Sequence, residues 1–169
     1  MYPEITTQRT FMRLISIEDL EPVAKLNANP DVRKFFPDGI QSKSQTKQRI
    51  FQFQSYYKDF GLPCFVVFDK STGNFIGRCG FGPLETGEVE VGYLIIKDLW
   101  GQGYATEILN ALLNWCCENI STDYIVALAP LKHTASHRVM EKCGMEYYKE
   151  EQGYGVSCKY YRYFLNNEK

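Results

Sequence analysis

The sequence predicts an α/β fold, a mixed sheet with helices on its faces. Short β-rich runs alternate with segments of helical apolar spacing, in the order β-α-α-β-β-β-α-β-α-β-β. One run, Val89 to Ile96, feeds through the small-residue segment Trp100-Gly101-Gln102-Gly103 into a helix. Two aromatic strands, around Tyr147-Tyr148 and from Cys158 to Leu165, complete the chain.

Taken in order, Thr10 to Ile15 reads as the first strand, with Phe11, Arg13 and Ile15 on one face. Glu18 to Asn27 carries Leu20, Val23, Ala24 and Leu26 at helical spacing and stops at Asn29-Pro30-Asp31. After a second break at Pro37-Asp38-Gly39, Ser42 to Phe60 forms the next helix, with Ile50, Phe51, Phe53 and Tyr57. Cys64 to Asp69 and Phe75 to Phe81 are strands joined by the turn Lys70-Ser71-Thr72-Gly73-Asn74. Glu85-Thr86-Gly87-Glu88 turns the chain into Val89 to Ile96. The helix Gly103 to Asn119 buries Ala105, Ile108, Leu109, Leu112, Trp115 and Cys116, and its other face shows Glu107, Asn110, Asn114 and Glu118. Tyr124 to Ala129 is a strand ended by Pro130. Thr134 to Cys143 is a short helix closed by Gly144 as a left-handed cap.

A length of 169 residues suits one domain, 1–169, with a full core. A net charge of −1 gives no pull toward nucleic acid or anionic membrane. Lys43, Lys47 and Arg49 form a small basic cluster that reads as a solvated helix face. The chain opens on no signal pattern, and no apolar run approaches the about 18 residues that span a bilayer, so a cytoplasmic protein is expected. Six scattered cysteines without a Cys-x-x-Cys pair read as reduced core thiols. His133 and His137 stand four apart, but Thr134 occupies the place of the zinc-protease glutamate and no third ligand follows. No metal is expected, and both histidines read as surface or cofactor-side groups.

A small-residue turn that opens a helix presents unpaired backbone N–H groups at the positive end of the helix dipole, which suits phosphate. A P-loop would need a lysine that is absent here. A dinucleotide fingerprint would need a third Gly or Ala where Thr106 stands. Its ribose-binding acid should end the next strand, whereas Asp123 precedes that strand.

Trp100-Gly101-Gln102-Gly103-Tyr104-Ala105 resembles the pyrophosphate loop of the GNAT N-acetyltransferase superfamily, Gln/Arg-x-x-Gly-x-Gly/Ala. Its neighbours resemble the RimJ/RimL-like branch, in the same order. Arg9-Thr10-Phe11-Met12-Arg13 is similar to the branch's first strand, and Phe75-Ile76-Gly77-Arg78-Cys79-Gly80 to its Ile-Gly-x-x-Gly strand. Glu90-Val91-Gly92-Tyr93 looks like its Glu-Ile-Gly-Tyr strand, and Ser136 to Met145 like its Ser-x-x-Val-x-Glu-Lys-x-Gly-Phe helix. The resemblance implies a GNAT-like α/β fold: a mixed, mostly antiparallel central sheet of about six or seven strands with helices on both faces.

It also implies an N-acetyltransferase that uses acetyl-CoA and an amine acceptor, either a peptide N-terminus or a small primary amine. The backbone of Gly101, Gln102, Gly103, Tyr104, Ala105 and Thr106 would hold the diphosphate. The pantetheine arm would pair with the strand edge at Leu94, Ile95 and Ile96, with a backbone N–H of Leu94 or Ile95 serving the oxyanion. Strand alternation puts Glu88, Glu90, Gly92 and Leu94 on one face. Glu90, a carboxylate in an apolar strand beside a splayed edge, is the candidate general base. Its plainer alternative is a half-exposed strand residue paired with a Lys or Arg. Ser136 is the candidate acid or sulfur-side partner, although a serine there can also serve as a helix cap.

Two departures from the branch stand out. His133 takes the slot of an Asn that contacts pantetheine, and Met140 that of a Tyr which could donate a proton. The late tyrosines Tyr147, Tyr148 and Tyr154 are further acid candidates. Of Phe35, Phe36, Phe51, Phe53, Tyr56, Tyr57, Tyr154, Tyr160 and Tyr161, most read as core and some as the lining of an aromatic acceptor cleft; there is no acidic run, though Asp31, Asp38 and Asp59 could contribute. A non-catalytic acyl-CoA sensor and a protein-interaction module remain open as alternatives, and the protein is expected as a monomer or homodimer.

Overall fold

The computed structural model describes residues 1–165. Residues 166–169 of the expected domain lie outside the described residues. The strands are β1 (Glu4–Thr6), β2 (Thr10–Leu14), β3 (Cys64–Asp69), β4 (Phe75–Pro83), β5 (Val89–Ile95), β6 (Tyr124–Pro130), β7 (Glu146–Gly153) and β8 (Val156–Phe164). The helices are α1 (Leu20–Asn27), α2 (Lys43–Phe60), α3 (Tyr104–Asn119) and α4 (Thr134–Lys142). One sheet takes the strands in the spatial order β1-β2-β3-β4-β5-β6-β8-β7. It has eight strands rather than six or seven. The addition is β1, a three-residue edge strand too short to carry a pattern.

Local chemistry sets the helix boundaries. The helix expected from Glu18 begins as a 3-10 turn, Ile17–Asp19. There the Ser16 N–H donates to Asp19 Oδ2 at 2.8 Å, and Arg13 grips the same carboxylate at 2.7 and 3.0 Å. Ser42 and Gln45 cap α2 reciprocally. Gly144 follows α4 at φ 83°, the left-handed stop expected of it.

The two faces of the sheet are covered by different helices. Ile108, Leu109, Leu112 and Leu113 of α3 pack with Met12, Phe65, Val91, Ile125 and Tyr161 in the larger core. On the other face Val23, Ile50 and Phe53 from α1 and α2 cover Cys64 and Val66. Truncating a fully buried side chain such as Leu112 to Ala costs about 2–5 kcal/mol.

Every neighbouring pair in the sheet is antiparallel except β5 and β6. That parallel pairing holds at only two registers, Val89↔Ile125 and Glu90↔Val126. Past Glu90 the two strands part, and the gap between them organises the site.

Candidate active site

Backbone phase decides which groups face the gap. The Ile96 N–H donates to Ile76 O at 2.9 Å, and the Leu84 N–H to Glu88 O at 2.8 Å. With Arg78 opposite Leu94, this phase turns the peptide groups of even-numbered β5 residues toward β4. Those of Tyr93 and Ile95 face the gap. Leu94 and Ile96 were expected to offer backbone groups to a ligand, but those of Leu94 face β4, and Ile96 donates to Ile76 O and accepts from the Leu99 N–H at 3.1 Å. Of the two oxyanion candidates, Ile95 is the one whose N–H points the right way. The Ile95 carbonyl already accepts from the Trp100 indole Nε1–H at 2.9 Å. Trp100 thereby ties the glycine loop back to the strand edge.

Glu90 stands at the last paired register, at the apex of the gap. Its carboxylate accepts a hydrogen bond from the Tyr154 hydroxyl, at the turn between β7 and β8. Burial pushes the Glu90 carboxyl up to about 7, against the opposing pull of the Tyr154 bond and of the Arg49 and Arg78 charges. No Lys or Arg pairs with it directly among the described residues. Tyr154 is therefore the late tyrosine that meets Glu90. Tyr147 instead packs edge-on against Tyr161, and Tyr148 against Tyr160.

On the opposite face, the Tyr93 and Ser136 hydroxyls lie 3.0 Å apart. Burial raises the Tyr93 phenol to about 12, although its bond to Ser136 opposes the rise. It stays protonated near neutrality and can donate. Sequence reasoning missed Tyr93 because the aromatic strand residue reads as core. Met140, in the slot where a tyrosine was sought, is buried at 3% exposure. His133 opens α4, with its ring stacked on Phe35 at 4.2 Å. Its Nδ1 is buried without a partner, and burial, assisted by His137, lowers the imidazole to about 4. A neutral ring with an unspent ring nitrogen is thus presented beside the end of β6. His137 is neither surface nor cofactor-side. It is buried, with Nε2 3.3 Å from Ala129 O and its ring on Tyr161.

The loop before α3 is built around Gly101 at φ 73° and Gly103 at φ 81°. Both are left-handed conformations that side chains disfavour. The first helical bond runs from the Glu107 N–H to Gly103 O at 3.1 Å. Among the described residues no backbone acceptor takes the N–H groups from Gly101 to Thr106. Glu107, expected on the solvent face, instead clasps the loop from below. It accepts from the Thr7 hydroxyl at 2.6 Å, the Arg9 N–H at 2.8 Å and Arg9 Nε at 2.6 Å. Arg9 also donates from Nη1 to Gln102 O at 2.9 Å and lies over the Tyr104 ring at 4.0 Å. Burial alone would raise the Glu107 carboxyl, but the Thr7 and Arg9 bonds outweigh it and leave it lowered.

A family model of the acetyltransferase (GNAT) domain matches residues 9–146. The chain belongs to the GNAT acetyltransferase family. It is 32% identical over 150 residues to the uncharacterized protein YkkB of Bacillus subtilis, covering 86% of this chain and 87% of that protein. It is 24% identical over 151 residues to the uncharacterized N-acetyltransferase YoaA of Bacillus subtilis, covering 86% and 84%. Its fold superposes with a TM-score of 0.83 on RimL, a ribosomal L7/L12 alpha-N-protein acetyltransferase solved with coenzyme A. That match covers 98% of this chain and 100% of RimL at 14% identity, a likeness of fold alone.

GNAT enzymes use acetyl-CoA, and three features of this chain fit it. The unpaired N–H groups at the start of α3 suit a diphosphate. The Tyr93 and Ile95 edge suits a peptide-like arm. The orphaned Nδ1 of His133 suits an amide of that arm. Among the described residues no group of three or more His, Cys, Asp or Glu side chains is placed to hold a metal ion. No helix of the described residues is long and apolar enough to cross a membrane.

The expected acceptor residues divide. Tyr161 is directed to the α4 face, where it donates to Glu141 at 2.8 Å, so it does not line the Glu90 side. Asp31 and Asp38 are held by Lys97 and Arg33. Phe51 is exposed and Phe53 is core, while the Tyr56 ring lies 3.8 Å from where a Cβ on Gly82 would stand.

Proposed function

We propose that this protein is an acetyl-CoA-dependent N-acetyltransferase acting on a primary amine, a protein N-terminus or a small molecule, by direct attack within a ternary complex. Residues 1–169 act as one domain in the cytoplasm. The carrying observation is a carboxyl with a proton affinity near neutrality at the point where β5 and β6 part. When bound, acetyl-CoA supplies an acetyl group activated as a thioester.

The residues of the chain then divide the work. Gly101, Gln102, Gly103, Tyr104, Ala105 and Thr106 hold the diphosphate through backbone N–H groups. His133 and the gap-facing edge of β5 orient the arm. The side chains of Leu94 and Ile96 brace that edge against α1 and the loop after it. Ionised Glu90 takes a proton from the ammonium of the acceptor, directly or through water, and leaves a neutral nucleophile. The Ile95 N–H donates to the attacked carbonyl oxygen. Ser136, backed by the Tyr93 hydroxyl, donates toward the departing sulfur. This hydroxyl pair supports catalysis over a purely sensory role, because it supplies the proton donor that Met140 lacks.

The test is thiol release from acetyl-CoA in the presence of a panel of amines and peptides. Turnover that falls sharply in Glu90→Gln while acetyl-CoA still binds supports the reading. Full turnover in Glu90→Gln at every pH overturns the role of Glu90. Acetyl-CoA binding with no turnover on any amine favours the sensor.

A further inference from the structure

Two arginines on the Glu90 side of the sheet, Arg78 and Arg49, form no ion pair among the described residues. Arg78 lies on β4 opposite Leu94, on the same face as Glu90. Its Nε is buried without a hydrogen-bond partner, yet the residue as a whole keeps part of its surface open. Among the described residues no oxygen accepts from its guanidinium, which lies 5.0 Å from the Phe53 ring centre. Arg49 of α2 approaches the same ring at 4.7 Å. It is half-buried rather than on the solvated face expected of it, and its side-chain bond is to the neutral Gln52 amide.

The ionisable groups felt most by Arg78 are Cys64, Arg49, Arg33 and Cys79, none of them a carboxylate. Arg33 is already paired with Asp38. Two guanidinium groups near one ring, bonded to no carboxylate among the described residues and acting on Glu90 only through space, form an arrangement that an anion would relieve. Between Arg78 and Glu90 the opening lies over Gly92 of β5, where a Cβ would meet nothing within 4 Å; Gly82 faces the Tyr56 ring at 3.8 Å, and Gly80 is closed over by the backbone of Pro63 and Cys64. The open space over Gly92 is where a compact molecule would lie along β5, with one end at Glu90 and the other toward Arg78.

We propose that the acceptor is a small primary amine that also carries a carboxylate or phosphate, with the amine at Glu90 and the anionic group received by Arg78 and Arg49. This rests on the transferase reading above. A forked guanidinium matches either oxyanion through paired N–H donors, so the two anions are separated by experiment.

The experiment measures thiol release by the full chain with matched acceptors: an amino acid against its amide, an aminoalkyl phosphate against the corresponding amino alcohol, and a peptide with a free N-terminus and no acidic residue. The anionic member of a pair is expected to be favoured roughly ten- to a hundredfold in kcat/KM. Arg78→Gln should remove that preference through KM for the anionic acceptor and leave acetyl-CoA affinity unchanged; because Arg78 also favours ionised Glu90, turnover of the neutral amine should shift to higher pH while keeping its plateau value. Arg78→Lys should retain part of the preference. Arg49→Gln gives the same reading if Arg78→Gln does not fold. Neutral amines or the neutral peptide used as well as the anionic ones would overturn the anion site and leave the transferase reading intact. No thiol release from any amine, by protein that binds acetyl-CoA, would overturn both.

Discussion

Glu90 has its proton affinity set from three directions. Burial raises it, Tyr154 lowers it by donating a hydrogen bond, and Arg49 and Arg78 lower it through space. A base must be ionised to act, so kcat/KM should rise with pH through about 7. Glu90→Gln should abolish that limb and lower kcat by about 100-fold or more. Tyr154→Phe removes a bond that favours the ionised form, so it should move the limb to higher pH. Linkage gives a second readout. The folded carboxyl binds its proton more tightly than the unfolded one, so its contribution to stability declines as pH rises from the unfolded carboxyl's range to about 7. Glu90→Gln should therefore raise Tm by a few degrees at pH 8 and by less at pH 5. At this scale the sequence named Glu90 and Ser136 but not their partners. Tyr93 lies 43 positions from Ser136, and Tyr154 lies 64 from Glu90. Local pattern carries no information about pairs so far apart in the chain.

The glycine loop and the first turn of α3 behave as one element. Gly103 at φ 81° leaves no comfortable place for a β-branched residue, and its Cβ would reach within 3.5 Å of Arg9 Nη2. Gly103→Val should weaken acetyl-CoA binding roughly tenfold or more, read by calorimetry, because the N–H groups lose their common aim. Glu107→Gln weakens the clasp on Arg9 and Thr7. Arg9 is partly exposed, so the expected loss is only about 1–2 kcal/mol in chemical denaturation, accompanied by a several-fold weaker acetyl-CoA affinity. The loop was legible in the sequence because its residues are contiguous and its glycines are required by backbone shape. The clasp was not, since Arg9 and Glu107 are 98 positions apart and Glu107 falls on the polar stripe of its helix. Edge strand β1 escaped for a different reason: three residues cannot display an alternation.

For the molecule as a whole, the decisive feature is a sheet that changes character at one junction. Seven strands could be placed from alternation and turn chemistry, and their order along the chain matched the observed one apart from β1. The parting of β5 from β6 after Glu90 is a long-range property of the crossover through α3, and no local signal marks it. That gap joins the glycine loop, the Ile95 N–H and Glu90 along one edge. A ligand spanning it should stabilise the whole fold, so saturating acetyl-CoA should raise Tm by an amount that grows with its concentration. The most direct test is calorimetric titration of the folded protein with acetyl-CoA, with adenosine and the Gly103→Val variant as controls. Micromolar binding that adenosine does not reproduce and that collapses in the variant is the predicted result. Absence of binding to correctly folded wild-type protein, or binding that the variant leaves unchanged, would contradict the account.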